Sequence, residues 1–297
     1  MAPVRNLNAE LILAAILPLC LIPANLCAQT SRSKITVTMR SVVRQGSSTT
    51  YFDLLRMLLP DLKFDSKDST SATAHRTIPI RHIANNETES LKGNLTVSDF
   101  EERRIISDGR QILLLKLDLP AAGANEGTPY EGEATLIAAF NLEPTPKVLD
   151  VVDIKTDRFT GFWEDQPVVQ LNSQNAAVVV HSSHWNAGES YDDLRLLFLD
   201  EERFRTGASI FLLNTQGCGT TVKEKPNFRV LPDQRNYPSI IVRVTVRKEP
   251  DTEECGRKTP GFTKYYQGLF YWNRVKGAYE SNSRQLSTLD KFNRERL

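Results

Sequence analysis

The stretch HSSHWNAGESYDD, residues 181–193, groups two of the chain's four histidines with a tryptophan and three acids. Imidazole and carboxylate groups are the side chains that bind zinc or transfer protons in enzymes. The stretch is therefore the first place to look for a binding or catalytic site. Its candidate residues are His181, His184, Trp185, Glu189 and Asp192.

The flanks of this stretch predict a hairpin end. NAAVVV before it and LRLLFLD after it are typical of strands, and the polar end of a hairpin is exposed for ordinary reasons. Successive side chains of a strand point to opposite faces, so His181 and His184 should diverge. A zinc site needs at least a third ligand near both histidines. We therefore predict no bound metal and no cofactor, and a hairpin rather than a catalytic loop.

Two aromatic segments are further candidates for ligand contact. Trp163 lies among charges in TDRFTGFWED, where it could line the rim of a pocket. Trp272 ends the run YYQGLFYW, one face of which could form a platform for a sugar or an extended peptide. Aromatic residues also dominate sheet cores, and core packing is the stronger explanation for YYQGLFYW. For TDRFTGFWED, the stronger explanation is a loop anchored by its aromatic residues.

The sequence lacks the standard catalytic signatures G-x-S-x-G, H-E-x-x-H and G-K-[ST]. The function expected from it is binding or structural, without catalysis, and the ligand would be a protein or a glycan. One alternative is an extracellular or periplasmic hydrolase with its site near His181–Asp193. A second is a partner-binding or inhibitory protein that uses a C-terminal helix.

The pattern of apolar residues predicts an all-β, mostly antiparallel fold with a short helix near each end. From residue 98 onward, short strands alternate with turns in units of strand, polar loop, strand, tight turn and strand, which favours propeller-like or sandwich-like sheets. LLLKL and LRLLFL should be covered on both faces, whereas VRVTV alternates like a sheet with one wet side. We expect a β-rich domain over 98–297.

The region before residue 98 is expected to be simpler. ITVTMRSVV predicts a strand and YFDLLRMLL a helix that Pro60 ends. From Lys63 to Asn94 the sequence is rich in Ser, Thr and Asn, which predicts a loosely packed connection. Residues 29–97 are therefore expected to hold a strand, a helix and a polar linker. At the other end, SNSRQLSTLDKFNRERL predicts a helix capped by Asn282. Its apolar stripe of Leu286, Leu289, Phe292 and Leu297 should dock on the sheet.

The first 28 residues predict a secretory signal peptide and a secreted or periplasmic protein. Leu11 to Ala28 carries no charge, includes two prolines and ends in a small residue. A retained membrane anchor and acylation of Cys27 are the alternatives. No later segment is apolar enough to span a bilayer. The net charge of +1, with both signs well mixed, argues against nucleic-acid binding, which needs a basic surface.

If the signal peptide is removed at this place, the mature chain should begin at Gln29. The small side chain of Ala28 suits the residue before a cleavage site. Amino-terminal sequencing of exported protein measures this directly. An intact Met1 or a lipidated Cys27 would contradict the assignment.

Removal of the signal peptide leaves Cys218 and Cys255, and two cysteines in an exported chain predict one disulfide. Thiol titration of the denatured, unreduced protein should find no free thiol. The variant Cys255→Ser should lower the free energy of unfolding by about 2–4 kcal/mol, because the bridge restricts the unfolded chain. Two reactive thiols would show that the bridge does not form.

Overall fold

A computed structural model gives the structure of the chain. The described residues are 37–65, 70–119, 134–154, 159–217, 220–232, 236–250 and 260–295. They form sixteen strands and two helices, and all strand pairs but one are antiparallel. The predicted all-β, mostly antiparallel class with a helix near each end is confirmed. None of the helices in these ranges is long and apolar enough to cross a membrane.

The first sheet has seven strands: β1 (Lys63–Phe64), β2 (Ala72–His82), β3 (Thr88–Val97), β4 (Phe100–Ser107), β5 (Arg110–Leu119), β6 (Ala134–Asn141) and β7 (Lys147–Asp153). Their order is β1-β2-β7-β6-β5-β4, and β3 pairs with β2. The β2–β7 pair is parallel and short, joining Arg81 and His82 to Val152 and Asp153.

The second sheet has nine strands: β8 (Phe159–Phe162), β9 (Val168–Gln170), β10 (Ala176–Asn186), β11 (Glu189–Asp200), β12 (Arg203–Gly217), β13 (Thr220–Val230), β14 (Ile240–Lys248), β15 (Phe262–Asn273) and β16 (Ala278–Ser281). Neighbouring strands follow chain order from β16 back to β10, and β8 and β9 both pair with β10. The predicted meander is therefore present as a run of hairpins.

The two sheets stack on a shared apolar core, as in a sandwich. Leu114 and Ile137 of the first sheet pack in one cluster with Val178, Leu197 and Phe204 of the second. Strand β5 is buried on both faces through most of its length, and β11 is buried over most of Leu194–Leu199, as their apolar sequences predict. The opposite face of the second sheet has its own apolar cluster, which includes residues of every strand from β9 to β16.

Helix α2 (Arg284–Arg294) covers this second cluster, so the predicted docking of the C-terminal helix is confirmed. Leu289 is buried, and Gly268 of β15 leaves room for Leu286, whose Cδ1 would lie 2.4 Å from an added Cβ. Two details of the prediction were wrong. Ser283, not Asn282, caps the helix, and the buried stripe continues through Asn293 while Phe292 is 38% exposed.

Glu224 connects helix α2 to the part of the second sheet where β12 and β13 are not paired. Strands β12 and β13 pair only between Thr215–Gly217 and Thr220–Val222, and beyond that point they diverge. The Glu224 carboxylate accepts hydrogen bonds from the Leu213 backbone N–H (3.0 Å) and from Asn293 Nδ2 (2.8 Å). A buried side chain thus supplies the acceptor that a paired strand would provide.

Two predictions for the region before residue 98 were wrong. Residues 37–43 form turns instead of a strand, because the carbonyls of Met39 and Ser41 accept the first N–H groups of helix α1 (Tyr51–Leu58). The polar segment after α1 is no loose connection: β2 and β3 form a long hairpin that is buried at its base, through Ala72, Ala74, Leu95 and Val97, and at Ile80. Residues on both sides of position 98 therefore share the first sheet.

The docking of α2 predicts a contrast between two substitutions on one helix. Leu289→Ala should lower the free energy of unfolding by about 2–5 kcal/mol, because it leaves a cavity in the second cluster. Lys291→Ala, on the exposed side, should change it by about 0.5 kcal/mol or less. Urea denaturation of both variants measures this. Similar small effects at the two positions would show that the helix is not docked.

Candidate functional site

Residues of both sheets line a cavity of about 610 Å³, and we call it the first cavity. Strands β4 and β5 of the first sheet form one wall, and β8, the residues after it and β10 form the other. Its polar and aromatic lining consists of Glu101, Lys116, Asp118, Phe159, Thr160, Phe162, Trp163, Glu164, Asp165 and His181.

Lys116 is the charged group at the base of this cavity. Its side chain is only 8% exposed, and its Nζ lies 2.8 Å from Glu101 Oε1 and 2.9 Å from Asp118 Oδ2. It also donates to the backbone carbonyl of Thr160 at 3.1 Å, which links β5 to β8 of the other sheet. Burial opposes the charge on the Lys116 ammonium, but hydrogen bonds with Glu101 and Asp118 outweigh it and raise its pKa. The ammonium therefore stays charged.

The two carboxylates bound to Lys116 remain accessible from the cavity. The Glu101 side chain is 41% exposed and the Asp118 side chain is 58% exposed. Asp118 also accepts a hydrogen bond from Thr135 Oγ1 at 3.0 Å. Each carboxylate is held in place from the protein side and can accept further hydrogen bonds from a ligand.

His181 lines the same cavity from β10. Its Nδ1 lies 3.5 Å from Asp192 Oδ1, and its ring meets Trp163 edge to face with centroids 5.4 Å apart. Gly161 lies opposite His181 in the neighbouring strand, and a Cβ there would be 3.5 Å from His181 Nε2 and 3.7 Å from Glu101 Oε1. Gly161 therefore lies next to both the imidazole and the Glu101 carboxylate, at distances that a Cβ would meet as ordinary contacts.

The hairpin predicted for residues 181–193 is present. Strands β10 and β11 pair without interruption up to Asn186 and Glu189. Gly188 makes the tight connection possible, because its φ is +112° and a Cβ would lie 2.5 Å from the Gln216 carbonyl oxygen. The two histidines diverge as predicted: His184 stacks on Tyr191, with centroids 5.3 Å apart, away from the first cavity.

Trp185 and Glu189 line a second cavity of about 520 Å³ near the end of this hairpin. The second cavity lies beside the gap between β12 and β13, and Trp163 and Asp165 line both cavities. The ring of Trp185 is 72% exposed. Three of the candidate residues therefore line the second cavity: Trp163, Trp185 and Glu189.

Trp272 is part of an aromatic cluster and lines neither cavity. Its ring stacks on Tyr237 at 4.1 Å and meets the edges of Phe198 and Tyr279. The cluster packs against the core that α2 covers, so core packing accounts for this residue. Cys218 and Cys255 lie outside the described residues, and their predicted disulfide stays a prediction.

The first sheet's contribution to the site was not predicted from the sequence. Glu101, Lys116 and Asp118 are on β4 and β5, far in sequence from the histidine stretch. One signal was available: Lys116 interrupts LLLKLDL, a strand expected to be covered on both faces. A lysine at such a position needs an acidic partner, and that partner marks a polar site.

The part of the chain that the structure describes holds no group of three or more His, Cys, Asp or Glu side chains that could bind a metal ion. What the first cavity offers is fixed hydrogen-bond acceptors, a buried ammonium and aromatic walls. No protein-family model, curated protein or solved structure matches this chain.

Proposed function

We propose that this protein is an exported binding protein without catalytic activity, and that its first cavity binds an organic cation such as an amine or a guanidinium. The observation that carries the proposal is the charge of the lining: four carboxylates, on Glu101, Asp118, Glu164 and Asp165, outnumber one ammonium, on Lys116. Glu164 keeps the excess negative even though Asp165 also pairs with Lys225 at the margin. A cavity lined mainly by one sign of charge concentrates ligands of the opposite sign.

The aromatic residues of the cavity support the same class of ligand. Phe159 is 56% exposed at the rim, and Trp163 forms part of the wall beside Glu164 and Asp165. A cation placed over an aromatic face is attracted by the ring quadrupole, by about 0.5–2 kcal/mol depending on desolvation. Carboxylates and aromatic rings together favour a cationic ligand over an anionic one.

A hydrolase remains the alternative, and the His181–Asp192 pair is the observation that favours it. The carboxylate lies beside one ring nitrogen, so it can orient the imidazole as a base is oriented in acyl transfer. The hydroxyl of Thr160 shares a 2.7 Å hydrogen bond with Ser182 Oγ in a buried position. It is therefore engaged away from the imidazole, and the binding proposal is preferred.

The proposal predicts selective binding of a small cation. Agmatine, which carries one guanidinium and one ammonium, should bind in calorimetric titration, whereas glutarate and cellotetraose should not. Glu164→Gln and Glu101→Gln should each weaken agmatine binding about tenfold, because a hydrogen bond to a charged group contributes roughly 1.5–3 kcal/mol. Glu164→Gln leaves the partners of Lys116 intact, so its effect is separate from folding.

Glu295→Gln, at the exposed end of α2, is the matched control and should bind agmatine like the unmodified protein. Binding of cellotetraose or glutarate in place of agmatine would overturn the proposed ligand class. Turnover of a chromogenic ester that is lost in His181→Asn would overturn the non-catalytic assignment.

A further inference from the structure

The outward face of β13, β14 and β15 is a flat, solvent-exposed surface. Even-numbered residues such as Val242 and Val244 point into the second apolar cluster, and odd-numbered residues point to solvent. The register between the three strands is continuous over their central parts, so the odd-numbered residues form rows across the sheet. We call this surface the outer face, and its residues are Lys223, Lys225, Asn227, Arg229, Ile241, Arg243, Thr245, Arg247, Thr263, Tyr265, Gln267, Leu269 and Tyr271.

The outer face carries five cations at the positions just given, and acidic residues lie at its ends, Glu249 beyond Arg247 and Glu280 opposite Tyr271. Lys223, Lys225 and Arg229 come from β13, and Arg243 and Arg247 come from β14. All five are exposed, and only Lys225 forms an ion pair among the described residues, with Asp165 at its margin. The chain as a whole has a net charge of only +1, so positive charge is concentrated on this face.

Sheet stability does not explain this arrangement. Lys223 and Arg247 are direct cross-strand partners, and like charges placed opposite each other destabilise a sheet. Acidic and basic residues at the outward positions would keep this face hydrated equally well. These cations repel one another, and the sheet holds them on one face. Binding of an anionic partner, which would neutralise them, explains why they lie together.

Exposed aromatic and apolar side chains lie among these cations. Tyr265 is 56% exposed, and the Arg243 guanidinium lies 4.2 Å from the centroid of its ring. Leu269 and Tyr271, further along the same strand, are 42% and 38% exposed. Stacking on Tyr265 restricts the planar guanidinium of Arg243, which can then bind a carboxylate through two parallel hydrogen bonds.

We propose that the outer face binds an acidic linear polysaccharide whose sugar rings carry carboxylates. On β13, Lys223 and Lys225 are about 6.8 Å apart, and Arg229 follows about 14 Å further along. On the neighbouring strand, about 4.8 Å away, Arg243 and Arg247 are about 14 Å apart. Cations spread over two adjacent strands in this way can meet several carboxylates of one extended chain. The exposed tyrosines provide apolar surface for the sugar rings. Single-stranded nucleic acids bind by stacking bases on aromatic rings, but the Arg243 guanidinium already lies over the ring of Tyr265. A polysaccharide is therefore favoured over a nucleic acid.

Polygalacturonate is the probe for this surface, and binding is measured by biolayer interferometry with the polymer immobilised. The full-length mature protein should bind, and affinity should fall as salt is raised because the contacts are ionic. The double variant Arg243→Gln, Arg247→Gln should weaken binding at least about tenfold, since it removes two charge-assisted contacts. Tyr265→Ala should weaken it as well.

The matched control is the double variant Arg44→Gln, Lys147→Gln, which removes two exposed cations elsewhere and should leave binding unchanged. Thermal melting of each variant checks that the fold is retained, and agmatine binding in the first cavity should be unaffected by Arg243→Gln, Arg247→Gln. Equal weakening in the control would overturn the proposal, as would no binding to polygalacturonate. Tighter binding to single-stranded poly(dT) or to anionic phospholipid vesicles would assign the face to a different partner.

Discussion

The arrangement of the candidate site depends on the ammonium group of Lys116. A buried charge is tolerated only with partners close by, and this one takes them from three strands: Glu101 of β4, Asp118 of its own strand and the Thr160 carbonyl of β8. The last contact crosses from the first sheet to the second. One electrostatic requirement therefore fixes two carboxylates at the cavity and also joins the sheets at the point where their apolar core ends.

The order of apolar and polar residues along each strand was the most reliable information in the sequence. The continuous apolar runs of β5 and β11 predicted strands covered on both faces, and the alternation of β14 predicted one wet face. The hairpin β2–β3 was missed because its polar composition resembles a loop. Only the pairing of Ala72 with Val97 and Ala74 with Leu95 identifies its buried face, and sequence alone does not show which residues pair.

The candidate site could be predicted only in part, because it is assembled from distant strands. His181, Trp163 and Asp192 were recognised by residue type, and strand parity correctly separated His184 from them. The partners of His181 across the cavity follow from how the two sheets stack, and no local pattern encodes that. Glu224 illustrates the same limit: its role depends on the divergence of β12 and β13, which only the tertiary structure reveals.

The nearly neutral net charge conceals two surfaces of opposite sign. Acidic side chains surround the first cavity, and basic side chains cover the outer face of β13, β14 and β15. The two meet where Asp165 Oδ2 lies 3.0 Å from Lys225 Nζ. Local fields near a surface depend on such segregation and decay within about 10 Å at moderate salt, so net charge alone says little about either surface. Alternation along the strands and the register between them place the cations on one face of the sheet. A nearly neutral protein can therefore present a strongly basic surface.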